Sequence, residues 1–316
     1  MHLPIDVPPL SVIPPAPVQI FSRRVRIGFG ILGVLVLCVV TVLAFVYTRP
    51  LSDSVVHLLG TRLPLPAAVV DDEWISLKSF FAEQDALKTY FTSPGQEENV
   101  PTEEELTQNI LDTLIRKTVV EQLAVQYQVT LDAARVEVFY QEMLGGTGEE
   151  AFAVQLQDSF GWTPDEFRAR IVEPVVLATQ VSEDILANPS QQQQAKEKID
   201  AALARVEAGD AFATVATEVS GDLDATGGGD LGIVSLSDLP DEWIAALEGL
   251  EVGQVTGVID GTEDYFVFQV TDRMVVEEEI KLGLSAIVVR KTTLEDAVDN
   301  YLNSVRVWRF VGRRPA

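Results

Sequence analysis

The stretch Gly209–Arg273 reads GDAFATVATEVSGDLDATGGGDLGIVSLSDLPDEWIAALEGLEVGQVTGVIDGTEDYFVFQVTDR. Phe212, Val215, Ala216 and Val219 fall on one helical face. A polar, glycine-rich loop follows and runs into the strand-like IVSL. DEWIAALEGL reads as a second short helix, and QVTGVID with YFVFQVTD as a hairpin about Gly261. The loop admits three chemical readings. Gly227, Gly229 and Gly232 fit G-x-G-x-x-G, but a dinucleotide site needs a strand before the loop and a helix after it, and here the order is reversed. Asp222, Asp224, Thr226, Gly227 and Asp230 imitate a calcium loop, yet its twelfth position holds Ile233 where a bidentate glutamate belongs. What fits the order of elements is a turn that uses glycine at positive φ ahead of a strand.

Set together, these pieces resemble the core of a parvulin-type peptidyl-prolyl isomerase. The resemblance rests on the Gly-x-x-Phe-x-x-x-Ala helix (Gly209, Phe212, Ala216), Ser220-x-Asp222, the Gly-Gly-Asp-Leu-Gly turn Gly228–Gly232, and Leu250-x-x-Gly253-x-Val255 before a last strand. It covers 65 residues. It implies a proline pocket lined by Leu231, Leu239 and Trp243, the last two standing where the family has methionine and phenylalanine, with Asp222 beside the reacting amide. Neither family histidine is present. The last strand reads Asp264-Tyr265-Phe266, and the opening strand that carries the other histidine is missing before Ser190. LSAIVVR, Leu284–Arg290, is the candidate replacement, with Ala286 in the histidine position. The expectation is a circularly rearranged parvulin fold whose first strand comes from the C-terminal side. In it VVEEEIKLG returns the chain across the sheet, and the helix after Thr293 packs on that sheet through Leu294, Val298 and Leu302.

Upstream, 63–188 reads as a helical domain. Val69–Ser76 gives two extended pieces about an Asp-Asp turn, and Ser76 caps the helix after it. Thr102 with Glu105, and Thr163 with Glu166, form capping boxes. Pro174 inside a helical pattern predicts a kink, and Ser190 is the expected cap of the next helix. The pieces LIRKTVVEQLA and GWTPDEFRARI resemble the N-terminal chaperone domain of SurA-like and PrsA-like foldases.

The first residues complete the plan. Residues 1–26 form a proline-rich tail that predicts neither helix nor strand. Ile27–Tyr47 is 21 residues without a charge, preceded by Arg23, Arg24 and Arg26. It predicts a single transmembrane helix with the tail in the cytoplasm and the body outside. Residues 48–62 are a stalk, 189–278 the parvulin-like domain, and 279–316 the strand and helix that complete it. The expected class is thus α+β: one membrane anchor, a helical domain, and a small domain with a four-stranded antiparallel sheet.

Composition narrows the function. Of 316 residues, 48 are acidic and 23 basic, a net charge of −25 that repels nucleic acid. Cys38 is the one cysteine, and His2 and His57 are the two histidines, so disulfides, cysteine–zinc sites and most Ser/His/Asp arrangements are out. No cofactor or metal is expected. The partners implied are unfolded, proline-containing exported polypeptides. Two functions are compatible with the residues: a membrane-anchored extracytoplasmic foldase that isomerises X-Pro bonds, or a non-catalytic chaperone built on the same fold.

Overall fold

The sheet begun by Gly209–Arg273 is completed by the segment after it. In the computed structural model, which describes residues 23–93, 100–220, 227–276 and 279–312, the strands are β3 Asp230–Ser235, β4 Ile259–Asp260, β5 Asp264–Val276 and β6 Glu279–Arg290. Their order is β3-β6-β5-β4 and every pairing is antiparallel. The strand expected from LSAIVVR is therefore present in the centre of the sheet. VVEEEIKLG is not a return loop, however. Val275 and Val276 close β5, Glu279 opens β6, and the two strands pair from Asp264↔Arg290 to Val276↔Glu279. Pairing the two arms satisfies backbone groups that an open loop would leave to water.

Alternation along β5 and β6 makes two cores. Tyr265, Val267, Ile287 and Val289 face α9 (Pro189–Glu207) and α10 (Phe212–Val219), meeting Ala195, Ile199, Ala202, Phe212, Val215 and Ala216. Phe268, Val270, Leu282, Leu284 and Ala286 face the opposite way, toward Leu236 and toward Leu247 of α11 (Asp241–Leu247). The cap of α9 is Asn188, whose side chain accepts from the Ser190 N–H, rather than Ser190; Pro189 takes the first helical position, where its missing N–H costs nothing.

The helical part contains α3 Leu77–Thr92, α4 Glu103–Gln126, α5 Ala133–Leu144, α6 Glu149–Phe160, α7 Pro164–Phe167 and α8 Glu173–Ala187. Ser76 caps α3, and both capping boxes form. The expected irregularity at Pro174 takes the form of a π turn, Arg168–Val172, in which the Glu173 N–H donates five residues back to the Arg168 carbonyl. Two short strands precede these helices, β1 Pro66–Val70 and β2 Glu73–Ser76.

After β6 the chain departs from the expectation. The helix capped by Thr293, α12 (Leu294–Ser304), packs on α4 and α8, not on the four-stranded sheet. Arg116 of α4 pairs with Asp299 at 3.4 Å and Glu295 at 3.7 Å. A last strand, β7 Val307–Arg309, joins β1 to give a second sheet of order β2-β1-β7, and Arg309 meets Asp112 of α4 at 2.6 Å. The physical reason is that both faces of the four-stranded sheet are already covered by α9, α10 and α11. The apolar stripe of α12 finds its burial against the helices instead. Where the chain crosses between these parts, at 188–192 and 291–293, the buried Gln192 holds both crossings. Its amide donates to the Ile185 carbonyl at 2.8 Å and the Thr292 carbonyl at 3.0 Å, and its oxygen accepts from the Thr292 N–H at 2.8 Å.

The chain divides into two units, Met1–Arg62 and Leu63–Ala316. In the first, the backbone is helical over α1 Arg23–Thr48 and α2 Ser54–Arg62. The proline-rich residues 1–22 and most side chains of the expected span before Val36 lie outside the described residues. Among the described residues no helix is long and apolar enough to cross a membrane.

Candidate functional site

Phe266 and Phe268 stand two apart on β5, so their rings share a face and stack at 5.6 Å between centroids. Trp243 lies against both, 4.8 Å from Phe266 and 4.6 Å from Phe268. The local sequence explains why it is there. Pro240 fixes the entry to α11 and its carbonyl accepts from the Trp243 and Ile244 N–H groups. Asp241 and Glu242 favour the helix N-terminus. Leu247 is fully buried and anchors the other end. Arg273 of β5 then holds the exit, donating to the Leu250 carbonyl at 2.9 Å and the Glu248 carbonyl at 3.1 Å.

The residues named from the sequence are partly brought together. Leu239, Trp243, Phe266 and Ala286 meet in one cluster on a single face of the sheet, with Ala286 directly opposite Phe268. Leu231 does not join it. It is the extra residue of a bulge between the pairs Asp230↔Ser285 and Gly232↔Leu284, and it is exposed. Asp222 lies outside the described residues. Ser220, two positions before it, is buried, and its hydroxyl accepts from the Val288 N–H at 2.9 Å. That bond ties the start of the Asp222 loop to β6.

The other end of the loop is tied by glycine. The Ala286 N–H donates to the Gly229 carbonyl at 2.8 Å. A Cβ on Gly229 would lie 2.2 Å from the Ala286 oxygen, and its φ is +78°. Glycine is thus required by close approach to β6, and the Gly-Gly-Asp-Leu-Gly turn is shaped to that strand. Two further residues were not found from the sequence. Thr256 is buried, its N–H donating to the Phe268 carbonyl and its hydroxyl accepting from the Phe268 N–H, both at 2.9 Å. It lines up 253–256 beside β5 and covers the edge behind the phenylalanines. Arg273 is the other. A threonine or arginine in a polar strand end carries no pattern that would mark it.

The rim is acidic. Asp230, Asp238, Asp241 and Glu242 are exposed. Hydrogen bonds from Ser235 and Ser237, with Lys281 nearby, hold the Glu279 carboxyl below the usual range. Among the described residues no group of His, Cys, Asp and Glu is arranged to hold a metal ion.

Residues 176–272 match the rotamase family model, described as the PPIC-type PPIase domain. The chain thus carries a parvulin-type domain, joined to helices in a SurA/PrsA-like architecture. The match ends before β6, so the strand bearing Ala286 lies outside it.

Among similar proteins is a Chaperone SurA of Alkalilimnicola ehrlichii, 30% identical over 248 residues, 65% of this chain and 56% of that one. A Foldase protein PrsA of Halalkalibacterium halodurans is 24% identical over 208 residues, 58% of this chain and 62% of that one. A Chaperone SurA of Chromobacterium violaceum is 36% identical over 87 residues, 28% of this chain and 20% of that one. The matches span less than two thirds of these relatives' lengths.

Proposed function

We propose that the protein is a membrane-anchored, extracytoplasmic foldase that binds X-Pro segments of exported polypeptides and accelerates their cis–trans isomerisation. The observation that carries this reading is the apolar face of Leu239, Trp243, Phe266 and Ala286, the first three of which lie within the segment 176–272 that matches the rotamase family. Rotation about an X-Pro bond loses amide resonance against a barrier of about 18–20 kcal/mol. No covalent step is needed. A dry, aromatic cradle grips the proline ring, and a polar group nearby favours the twisted amide over the planar one. In this reading Trp243 and Leu239 grip the ring, Leu231 forms an outer lip, and Asp222 stands beside the amide. β6 takes the place of the family's opening strand, with Ala286 and Phe266 where the histidines stand.

Anchoring by Ile27–Tyr47 is supported by its uncharged sequence of 21 residues after three arginines. The helical part, residues 63–188, would hold unfolded chains while the proline face acts. The names of the relatives, a chaperone and a foldase, support both roles.

A second reading is a chaperone without isomerase activity. Trp243 resting on Phe266 and Phe268 favours it, because the chain's own rings pack against one another across the face. Refolding of a protein limited by proline isomerisation separates the two. A foldase shortens the slow phase at substoichiometric concentration. A chaperone raises the yield and leaves the rate unchanged.

A further inference from the structure

One buried cation lies across the sheet from the proline face. Lys291 follows β6 and is 6% exposed. With Tyr265 it lines a groove of about 630 Å³ whose other wall includes Leu186, Ala187 and Pro189, where α8 gives way to α9. Tyr265 belongs to the core on the α9 side, and the Lys291 ammonium sits over its ring, 4.9 Å from the centroid.

An ammonium has three donors, and a buried cation is costly unless they are engaged. This one donates to the Gly261 carbonyl at 2.6 Å, pairs with the Asp260 carboxylate and faces the Tyr265 ring. All three partners lie in residues 260–265, the β4–β5 hairpin. The base of the side chain is fixed as well. The Lys291 N–H donates to the Glu263 carbonyl at 2.9 Å, and Thr292 beside it is held by Gln192. β4 has little hold of its own, being two residues long and at the edge of the sheet.

Gly261 carries the clamp to the opposite face. The Phe266 ring lies so close to it that a Cβ there would stand 2.7 Å from Phe266 Cε2. Phe266 pairs with Ile259 of β4, and its ring meets Trp243 at 4.8 Å. An unbroken series of contacts thus runs from the ammonium, through the Gly261 peptide, to the rings of the proline face.

We propose that Lys291 is a positioning residue of the proline face: by clamping the Gly261 carbonyl it fixes where the Phe266 ring stands against Trp243. It touches no substrate, and its role rests on the reading of the Trp243 face as the X-Pro site. A lysine that only stapled a turn would add stability and leave the grip on proline as it was. A lysine that sets the wall changes the grip itself, because an unclamped Phe266 ring closes less tightly on the proline ring.

The test uses the full chain in detergent micelles and two variants that act on Gly261 from opposite sides. Lys291→Met keeps the apolar stem and removes the ammonium. Gly261→Ala keeps the ammonium and pushes a methyl group into the Phe266 ring. Exchange NMR over a concentration series of an Ala-Pro peptide gives kcat and KM. A looser grip in ground and transition states alike raises KM and leaves kcat unchanged, whereas a loss of folded protein lowers the apparent kcat and leaves KM unchanged. Each variant should raise KM about fivefold with kcat held, and the double variant should raise it by less than the product of the two. The Trp243 indole resonance should shift in both, while that of Trp162, buried among the helices, stays in place and reports an intact fold. Where Lys291→Met does not fold, Asp260→Ala loosens the same clamp from its exposed side and is read in the same way. An unchanged KM in a folded variant, an unmoved Trp243 resonance, or a lower kcat at unchanged KM overturns the proposal. A wild type that binds the peptide without exchanging it defeats the foldase reading alone, and the clamp is then judged on Kd in place of KM. A wild type that does neither overturns both.

Discussion

At Gly229 two demands coincide, a φ of +78° and a neighbouring backbone oxygen that leaves no space for a methyl group. Gly232 meets only the first, with φ +73° and open space around a built Cβ. The pair therefore separates the two costs. Gly232→Ala should destabilise by about 1–3 kcal/mol, the usual range for a non-glycine residue at positive φ. Gly229→Ala should cost clearly more, because β6 must move away from the turn as well. Urea unfolding of both variants checks this, and equal midpoints would show that the contact with Ala286 is not formed. Leu231 and Trp243 were both taken from the same family resemblance. A motif fixes residue types and spacing. It does not say that a bulge would leave Leu231 outside the packed cluster.

Elements whose ends carry their own chemistry were legible: the boxes Thr102–Glu105 and Thr163–Glu166, and the Thr293 cap. The second half of β6, Leu284–Arg290, was legible because a β-branched apolar run needs burial on both faces; its first half, from Glu279, was read as part of a connection because its charged residues hide a strand. The partner of α12 was not legible either. Leu294, Val298 and Leu302 define a stripe, but a stripe does not name the surface that covers it. β7 was missed because three residues show no period. Two truncations test the resulting assignment. A chain ending at residue 292 should keep slow hydrogen exchange in β5 and β6 while protection falls in α4, which loses α12 and β7. A chain ending at residue 278 should lose protection in β5, whose ladder partner is gone. If ending at 292 abolishes protection in β5 and β6, α12 supports the four-stranded sheet after all.

For the whole molecule, acid is the informative variable. Bonds from the Thr102 and Thr163 backbones lower the Glu105 and Glu166 carboxyls, and Arg168 and Arg135 lower Glu137 and Glu183. A lowered folded value means that the contribution is fully present above the unfolded value. It is lost as pH falls through the folded values. The melting temperature should therefore hold from neutrality down to about pH 5 and drop below the ordinary glutamate value of 4.5. A scan from pH 7 to pH 3 checks it, and a rise on acidification would show that relief of the −25 charge outweighs these bonds. The most direct test of the account as a whole is exchange NMR on an Ala-Pro peptide with a catalytic amount of the full chain. Cis–trans exchange peaks should appear with the wild type and fade with Trp243→Ala, whose peptide affinity should fall by about 2 kcal/mol, roughly thirtyfold. Peptide resonances that neither shift nor exchange with the wild type, or that respond equally to both proteins, would contradict a proline-binding face at Trp243.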